Sequence, residues 1–346
     1  MKTLLFVFLN SIIISAHCQE LNRSKKYFIA AIAFWNVENL YDTLNDRWKN
    51  DEDFTPAGIH AWTGDRYRKK VEHLSEVISR MATELTPDGP AIIGLCEVEN
   101  KNAALDLAHA HKLKHRNYQV IHIEGPDARG VDPSLLYNPN YFKPLKTVAY
   151  HIKLFPDSNH KTRDILVVSG LYMGEALTVL VNHWPSRRNG EKQSSAGRKS
   201  AAKVARRITD SIAENNSGAR IIIMGDFNDD PVNESVKKVI GTCGKANEMT
   251  DSLYFNPMEK LYKEGIGTLA WQDSWNLFDQ VLLNNNWLNG DRKTWQYYSA
   301  RVFNPPFLRN DYGRFKGYPL RTYSGATYTG GYSDHFPVYV LIAKEK

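Results

Sequence analysis

Nine short apolar runs rich in Val, Ile and Leu, each bounded by turn residues, set the strongest limit on what this chain can become. They fall at residues 27–35, 91–96, 118–123, 134–137, 165–168, 176–181, 221–224, 278–283 and 338–342. Runs this short do not complete a self-burying helix, and their β-branched content suits a buried pleated surface. Between them, three segments carry helical spacing. Residues 65–85 place Val71, Leu74, Val77, Ile78 and Met81 on one face, and residues 100–115 bring Leu105, Leu107 and Ala108 together. Residues 200–214 set Ala201, Val204, Ala205, Ile208 and Ile212 against Lys203, Arg206 and Arg207. Many strands with few long helices predict two packed sheets with helices outside. Residues 233–272 and the Tyr-rich 297–328 show neither period and read as surface excursions. No low-complexity tract or fixed repeat interrupts the chain after Tyr27, so residues 19–346 are expected to form one domain.

The N-terminus has the pattern of an export signal: Lys2, then an apolar stretch from Leu4 to Ala16, too short for a membrane span. Small residues at Ala16 and Cys18 place cleavage after residue 18, and bulky His17 argues against a lipoprotein site. The expectation is an exported, periplasmic or secreted protein with no membrane span in its mature part. Removal of the leader takes Cys18 and leaves Cys96 and Cys243, for which no disulfide is expected. A formal charge of +6 and a pI near 9.0 favour a polyanionic substrate without identifying one.

Chemistry-bearing residues follow strand after strand. Phe34-Trp35 runs into Asn36-Val37-Glu38-Asn39, Leu95-Cys96 into Glu97, Val181 into Asn182-His183-Trp184-Pro185-Ser186, and Met224-Gly225 into Asp226-Phe227-Asn228. Asp279 opens another apolar run, and Asp334-His335 precedes the last. Taken singly, Asp226 and Asn228 are ordinary turn formers and His183 is an ordinary structural histidine. Glu97 is harder to dismiss, because a carboxylate directly after a buried run needs a cation to offset desolvation. Together these residue types suit hydrolysis of a phosphate ester. Carboxylates can hold a hard divalent cation, an acid and an amide can aim water, and histidines titrate near neutrality.

The order and spacing of these motifs resemble the endonuclease/exonuclease/phosphatase superfamily over nearly the whole mature chain. Residues 34–42, Asp53-Phe54-Thr55-Pro56 and Asn182-His183-Trp184-Pro185-Ser186-Arg187-Arg188 are most similar to its bacterial extracellular nucleases. The resemblance implies a DNase I-like α-β-β-α sandwich of two mainly antiparallel sheets. It implies a divalent cation, Mg²⁺ first with Ca²⁺ or Mn²⁺ as alternatives, held by Asn36, Glu97 and Asp334 with Glu38 at or just behind it. Asp226 and Asn228 would orient the attacking water and the phosphate. His183 and His335 would contact the phosphate, His335 supported by Asp279 and His183 by Asp132 of Arg129-Gly130-Val131-Asp132.

Arg187, Arg188, Arg198 and Lys199 cluster after the His183 loop and could grip flanking phosphates, as could Arg129 and Ser186; a solvated loop is an equal reading for the cluster. Asp51-Glu52-Asp53 fits a hydrated acidic turn better than a calcium site. Trp62, Trp271, Trp275 and the late tyrosines could stack on bases, although most are expected to pack. The activity expected is cleavage of DNA, with RNA next. Inositol-phosphate phosphatase or sphingomyelinase-like chemistry on the same core is an alternative, as is a non-catalytic binder of phosphate polymers. No stable protein partner is implied.

Overall fold

The computed structural model describes residues 21–22, 24–154, 161–188 and 190–346; the leader expected at residues 1–18 lies outside them. Two sheets stack face to face. The six-stranded sheet runs, edge to edge, through Gln296–Val302, Val338–Glu345, Tyr27–Leu40, Ile92–Val98, Asp132–Tyr137 and Gln119–His122. The seven-stranded sheet runs through Phe142–Tyr150, Ile165–Tyr172, Glu175–His183, Arg220–Asp226, Asp279–Leu283, Tyr254–Phe255 and Thr242–Cys243. Most neighbours are antiparallel, but Tyr27–Leu40 lies parallel to Ile92–Val98, Glu175–His183 to Arg220–Asp226, and the short Tyr254–Phe255 to Thr242–Cys243.

Period-two alternation sorts the first strand between two cores. Ala30, Ile32 and Phe34 face the other sheet, while Ala31, Ala33 and Trp35 face the helices. The helix Gly64–Arg80 starts at Thr63, whose hydroxyl accepts from the Arg66 N–H, and buries Leu74, Val77 and Ile78 against that outer face. Truncating Leu74 to Ala would cost about 2–5 kcal/mol. On the far side, the helix Glu191–Asn215 lays Ala201, Ala205 and Ile208 over Leu180, Ile221 and Ile223 of the seven-stranded sheet. These are the four layers expected.

Several boundaries differ from the sequence reading for local reasons. The first helix ends at Arg80, not residue 85, because Ala82 turns left-handed (φ +59°). The second helix, capped by the Asn100 side chain, stops at Ala108, and Leu113 then enters the outer core. Glu191–Asn215 begins nine residues before the expected start; fully buried Arg198 breaks the apolar pattern there. Strands Phe142–Tyr150 and Gln296–Val302 were not foreseen. Both are edge strands, the first carrying Pro144 with two lysines and the second lying in the Tyr-rich stretch. Cys96 and Cys243 are both buried, free thiols. No helix among the described residues is long and apolar enough to cross a membrane.

Candidate active site

The parallel pairs Tyr27–Leu40 with Ile92–Val98 and Glu175–His183 with Arg220–Asp226 end at the same edge of the stacked sheets, and the first departs from regular geometry there. Pairing of Tyr27–Leu40 with Ile92–Val98 slips between Asn36 and Leu40, and that of Ile92–Val98 with Asp132–Tyr137 slips between Leu95 and Val98. Glu38, Asn39 and Glu97 take left-handed backbone conformations within these irregularities, with φ of 52°, 54° and 64°. Such residues cost on the order of 1–3 kcal/mol each and concentrate at working sites. Here they turn the Glu97 side chain into a cavity. The Asn39 N–H donates to Glu97 Oε2 at 3.0 Å, whereas Oε1 accepts no hydrogen bond and stands 3.6 Å from Arg129 Nη2 and 3.8 Å from His183 Nε2.

On the other sheet, register places His183 beside Asp226 and Asp226 beside Asp279, a row of three functional side chains on three adjacent strands. One step back, Gly225 lies against Asn182 so closely that a Cβ there would meet the Asn182 carbonyl oxygen at 2.4 Å. Asp226 joins the sheets. Its Oδ2 accepts from Asn36 Nδ2 at 3.0 Å and lies 3.7 Å from His183 Nε2 and 4.0 Å from His335 Nε2. Its Oδ1 accepts from the N–H of Asn228, another left-handed residue (φ 49°), whose amide donates to the Trp184 carbonyl. Burial pushes the Asp226 carboxyl up to about 6, against the lowering effect of His335.

The histidines sit in opposite electrostatic settings. His335 Nδ1 is 2.7 Å from Asp279 Oδ2; burial alone would lower its pKa, but the Asp279 carboxylate more than offsets this and holds it well above the ordinary value. His183 is driven well below that value by burial, then by the charges of Arg163, Arg129 and His335, and its buried Nδ1 has no hydrogen-bond partner. One imidazole is therefore cationic at neutral pH and the other neutral.

Asp334 opens onto the cavity while its Oδ2 receives Arg321 at 2.6 Å. Glu38 lies behind it. The Glu38 carboxylate accepts from the Thr322 N–H at 2.7 Å and pairs with Arg321 at 3.5 Å and Lys70 at 3.7 Å, so both oxygens are already engaged. Lys70, also buried, donates to Thr322 Oγ1 and the Tyr332 carbonyl.

The cavity in front of these groups measures about 990 Å³ and is lined by Glu97, Asp334, Arg129, Ser186, Arg188 and Arg163 among others. Three sequence expectations need correction. Asp132 does not support His183: it accepts from the Gly125 N–H, and alternation from Leu136 in the outer core and Leu135 between the sheets turns it away from the sheet carrying His183. Arg187 is held by the Asn228 carbonyl, Asp229, Asp230 and Asn233. Arg198, fully buried, pairs with Asp229 at 2.7 Å. Neither guanidinium reaches the cavity, and Lys199 is likewise occupied by Glu234.

Sequence reasoning missed Lys70, Asn39, Arg163 and Arg321. Lys70 reads as an ordinary surface charge on an amphipathic helix, and Arg321 lies in a stretch without period. Asn39 alone stood in a quoted motif.

A family model described as endonuclease/exonuclease/phosphatase family matches residues 31–344. No curated protein matches the sequence. Among solved structures, truncated Caenorhabditis elegans TDP2 is similar at a TM-score of 0.53 and 15% identity, over 91% of this chain and 97% of that one. D. rerio TDP2 complexed with single strand DNA product is similar at 0.54 and 17%, over 91% and 98%. Bacteroides thetaiotaomicron mannosyl-6-phosphatase is similar at 0.52 and 15%, over 90% and 99%. At these identities the structures speak for the fold, which is DNase I-like. With the family model spanning both sheets and every strand end that carries the site, the chain belongs to the endonuclease/exonuclease/phosphatase family, whose members are phosphoric-ester hydrolases.

Proposed function

We propose that this protein is an exported, metal-dependent phosphodiesterase whose substrate is nucleic acid, DNA in the first place, cleaved by in-line attack of water. The observation that carries this reading is the placement of Asp226 within 4.0 Å of both imidazoles while Asn36 reaches it from the opposite sheet. A carboxyl near 6 is a stronger base than an ordinary carboxylate and suits accepting a proton from water. Asn228 fixes its orientation. His335, kept cationic by Asp279, suits donating a proton to the departing oxygen, and neutral His183 suits an N–H donated to a phosphate oxygen.

The residues fit a hard divalent ion. Glu97 Oε1 accepts no hydrogen bond and borders the cavity with Asp334, and the Asn36 side chain adds an amide oxygen nearby. Asp226, Asp279 and His335 also bring ligand atoms within 4.8 Å of one another, but the short His335–Asp279 hydrogen bond makes a proton-holding pair the better description. Glu97, Asp334 and Asn36 would hold Mg²⁺, with Glu38 and Arg321 fixing Asp334 from behind. When bound, the ion would neutralise phosphate charge.

Arg129 and Arg188, with Lys161, give the cavity wall positive charge suited to flanking phosphates. A TDP2 structure holding single strand DNA product supports the choice of a nucleic acid, and the mannosyl-6-phosphatase marks the rival class. The test incubates purified protein with supercoiled plasmid, RNA and mannose 6-phosphate, with and without EDTA, beside His335→Ala. Metal-dependent plasmid cleavage abolished in the variant is expected. Phosphate release from the sugar with an intact plasmid would overturn the nuclease reading.

A further inference from the structure

A groove of about 460 Å³ is bordered by Arg321, the residue that holds Asp334, and lies between the hairpin of Leu269–Trp271 with Ser274–Asn276 and the irregular segment 310–329. The hairpin turns at Gln272 and Asp273, both left-handed (φ 48° and 63°). Tyr318 ties that turn to the opposite wall: its hydroxyl donates to Asp273 Oδ1 at 2.6 Å and accepts from the Asp273 N–H at 2.9 Å. Trp271 is left 65% exposed on the rim and Phe315 48% exposed, whereas Trp62 is buried with Tyr41 and Tyr323. Ring contacts continue inward from Phe315 to Tyr318, Tyr318 to Trp275 and Trp275 to Phe336, the neighbour of His335, with centroids 5.6, 5.7 and 6.1 Å apart.

Large rings clustered at one exposed groove, and not scattered singly, mark a surface that meets something. The charge around them is basic. Residues 309–321 carry Arg309, Arg314, Lys316 and Arg321 against the single acid Asp311, and the Arg314 guanidinium lies 5.8 Å over the Phe315 ring. Asp273 is the one acid lining the groove, and Tyr318 engages its carboxylate. The groove is also continuous with the catalytic cavity. A smaller hollow of about 200 Å³ shares Asn39, Phe54 and His60 with the cavity, and Arg321 and Gly325 with the groove.

We propose that this groove is a subsite for unpaired nucleotides flanking the scissile phosphate, with Trp271 and Phe315 stacking on bases and Arg314 meeting the backbone. The proposal deepens the nucleic-acid reading of the catalytic centre and rests on it. Aromatic faces accept any base, but base faces are hidden inside a duplex, so the occupant is a single strand. Basic side chains beside the rings match a chain of phosphates. The concave, continuous course from the catalytic cavity suits a polymer already held there over a flat lipid surface. Arg129 and Arg188 hold phosphates without regard to pairing, whereas the rings select bases that are free of a partner strand.

Fluorescence anisotropy with Mg²⁺ present tests the subsite, comparing a labelled single strand of mixed sequence with the blunt duplex it forms, in a His335→Ala background that prevents cleavage. Trp271→Ala combined with Phe315→Ala should weaken single-strand binding at least about tenfold and duplex binding less than about threefold. Trp271→Phe should retain most of the single-strand affinity, because stacking needs a ring and not an indole. Unfolding midpoints should stay within about 2 °C of the background protein, since both side chains are largely exposed. Unchanged single-strand affinity in the double variant, or an equal loss on strand and duplex, would overturn the subsite while metal-dependent plasmid cleavage, and with it the nuclease reading, still stood. Binding of neither nucleic acid by the protein with an intact groove would overturn both. Co-sedimentation with phosphatidylglycerol/phosphatidylcholine vesicles that the double variant loses, at undiminished single-strand affinity, would assign the rings to a lipid surface instead.

Discussion

Asp279 Oδ2 and His335 Nδ1 lie 2.7 Å apart in a place where neither side chain is more than 7% exposed. This pair decides the protonation state of the imidazole proposed to donate the leaving group's proton. His335 is held above its ordinary pKa, so it carries its proton through neutrality and releases it only as pH rises through the elevated value. In Asp279→Asn the support is gone while burial remains. The alkaline limb of the kcat/KM profile should move to lower pH, with a loss of about 10²-fold at pH 8. An unmoved limb in a pH–rate series would show that His335 is not the proton donor.

Asp132 supplies the converse case. Its carboxylate accepts from the Gly125 N–H and faces away from the sheet that carries His183. Asp132→Asn should change kcat less than about threefold, whereas His183→Ala should cost about 10²-fold or more. Steady-state rates of the two variants, measured side by side, decide it.

The basic cluster divides into structural and solvent-facing members. Arg198 is wholly buried beside Asp229, so Arg198→Met should cost about 3 kcal/mol in urea unfolding by leaving that carboxylate short of a partner. Arg188 is exposed on the cavity wall. Arg188→Ala should leave unfolding unchanged, raise KM for a polyanion and flatten the salt dependence of binding by about one charge. Equal stability of the two variants would contradict this division.

His122 predicts an acid limb in stability. Burial, helped by Lys101, lowers it to about 4, while the unfolded chain titrates near 6.5. As pH falls from about 6.5 to 4, the unfolded state takes up a proton that the folded state refuses, so stability drops across that window and is complete above it. Replacing His122 with Gln should flatten the Tm–pH curve there, read by differential scanning calorimetry between pH 4 and 7.

The strands that read clearly from sequence are those whose residues are apolar on both faces, such as Arg220–Asp226, because each is packed between a helix layer and the other sheet. Edge strands such as Phe142–Tyr150 expose polar residues and lose that signature. At the site, the positions in strand-end motifs were legible because chemistry there is tied to where an apolar run stops. Asp132 was misassigned because facing is fixed by strand alternation, and a motif match does not carry that register. For Arg187 and Arg198, nothing local distinguishes an arginine that meets a buried aspartate 42 or 31 residues further along from one that meets solvent. Lys70 and Arg321 approach Glu38 from distant segments, a meeting that only the tertiary structure produces.

The bare Cα of Gly225 carries a consequence for how finely this chemistry is tuned. Because the neighbouring strand leans into the space a methyl would occupy, the imidazole of His183 and the carboxylate of Asp226 stand abreast at a spacing set by an atom that is missing. Alanine at 225 would lever the two strands apart by a fraction of an ångström. Such a change would leave every reactive group in place and yet detune the machine, since proton transfer tolerates little misplacement.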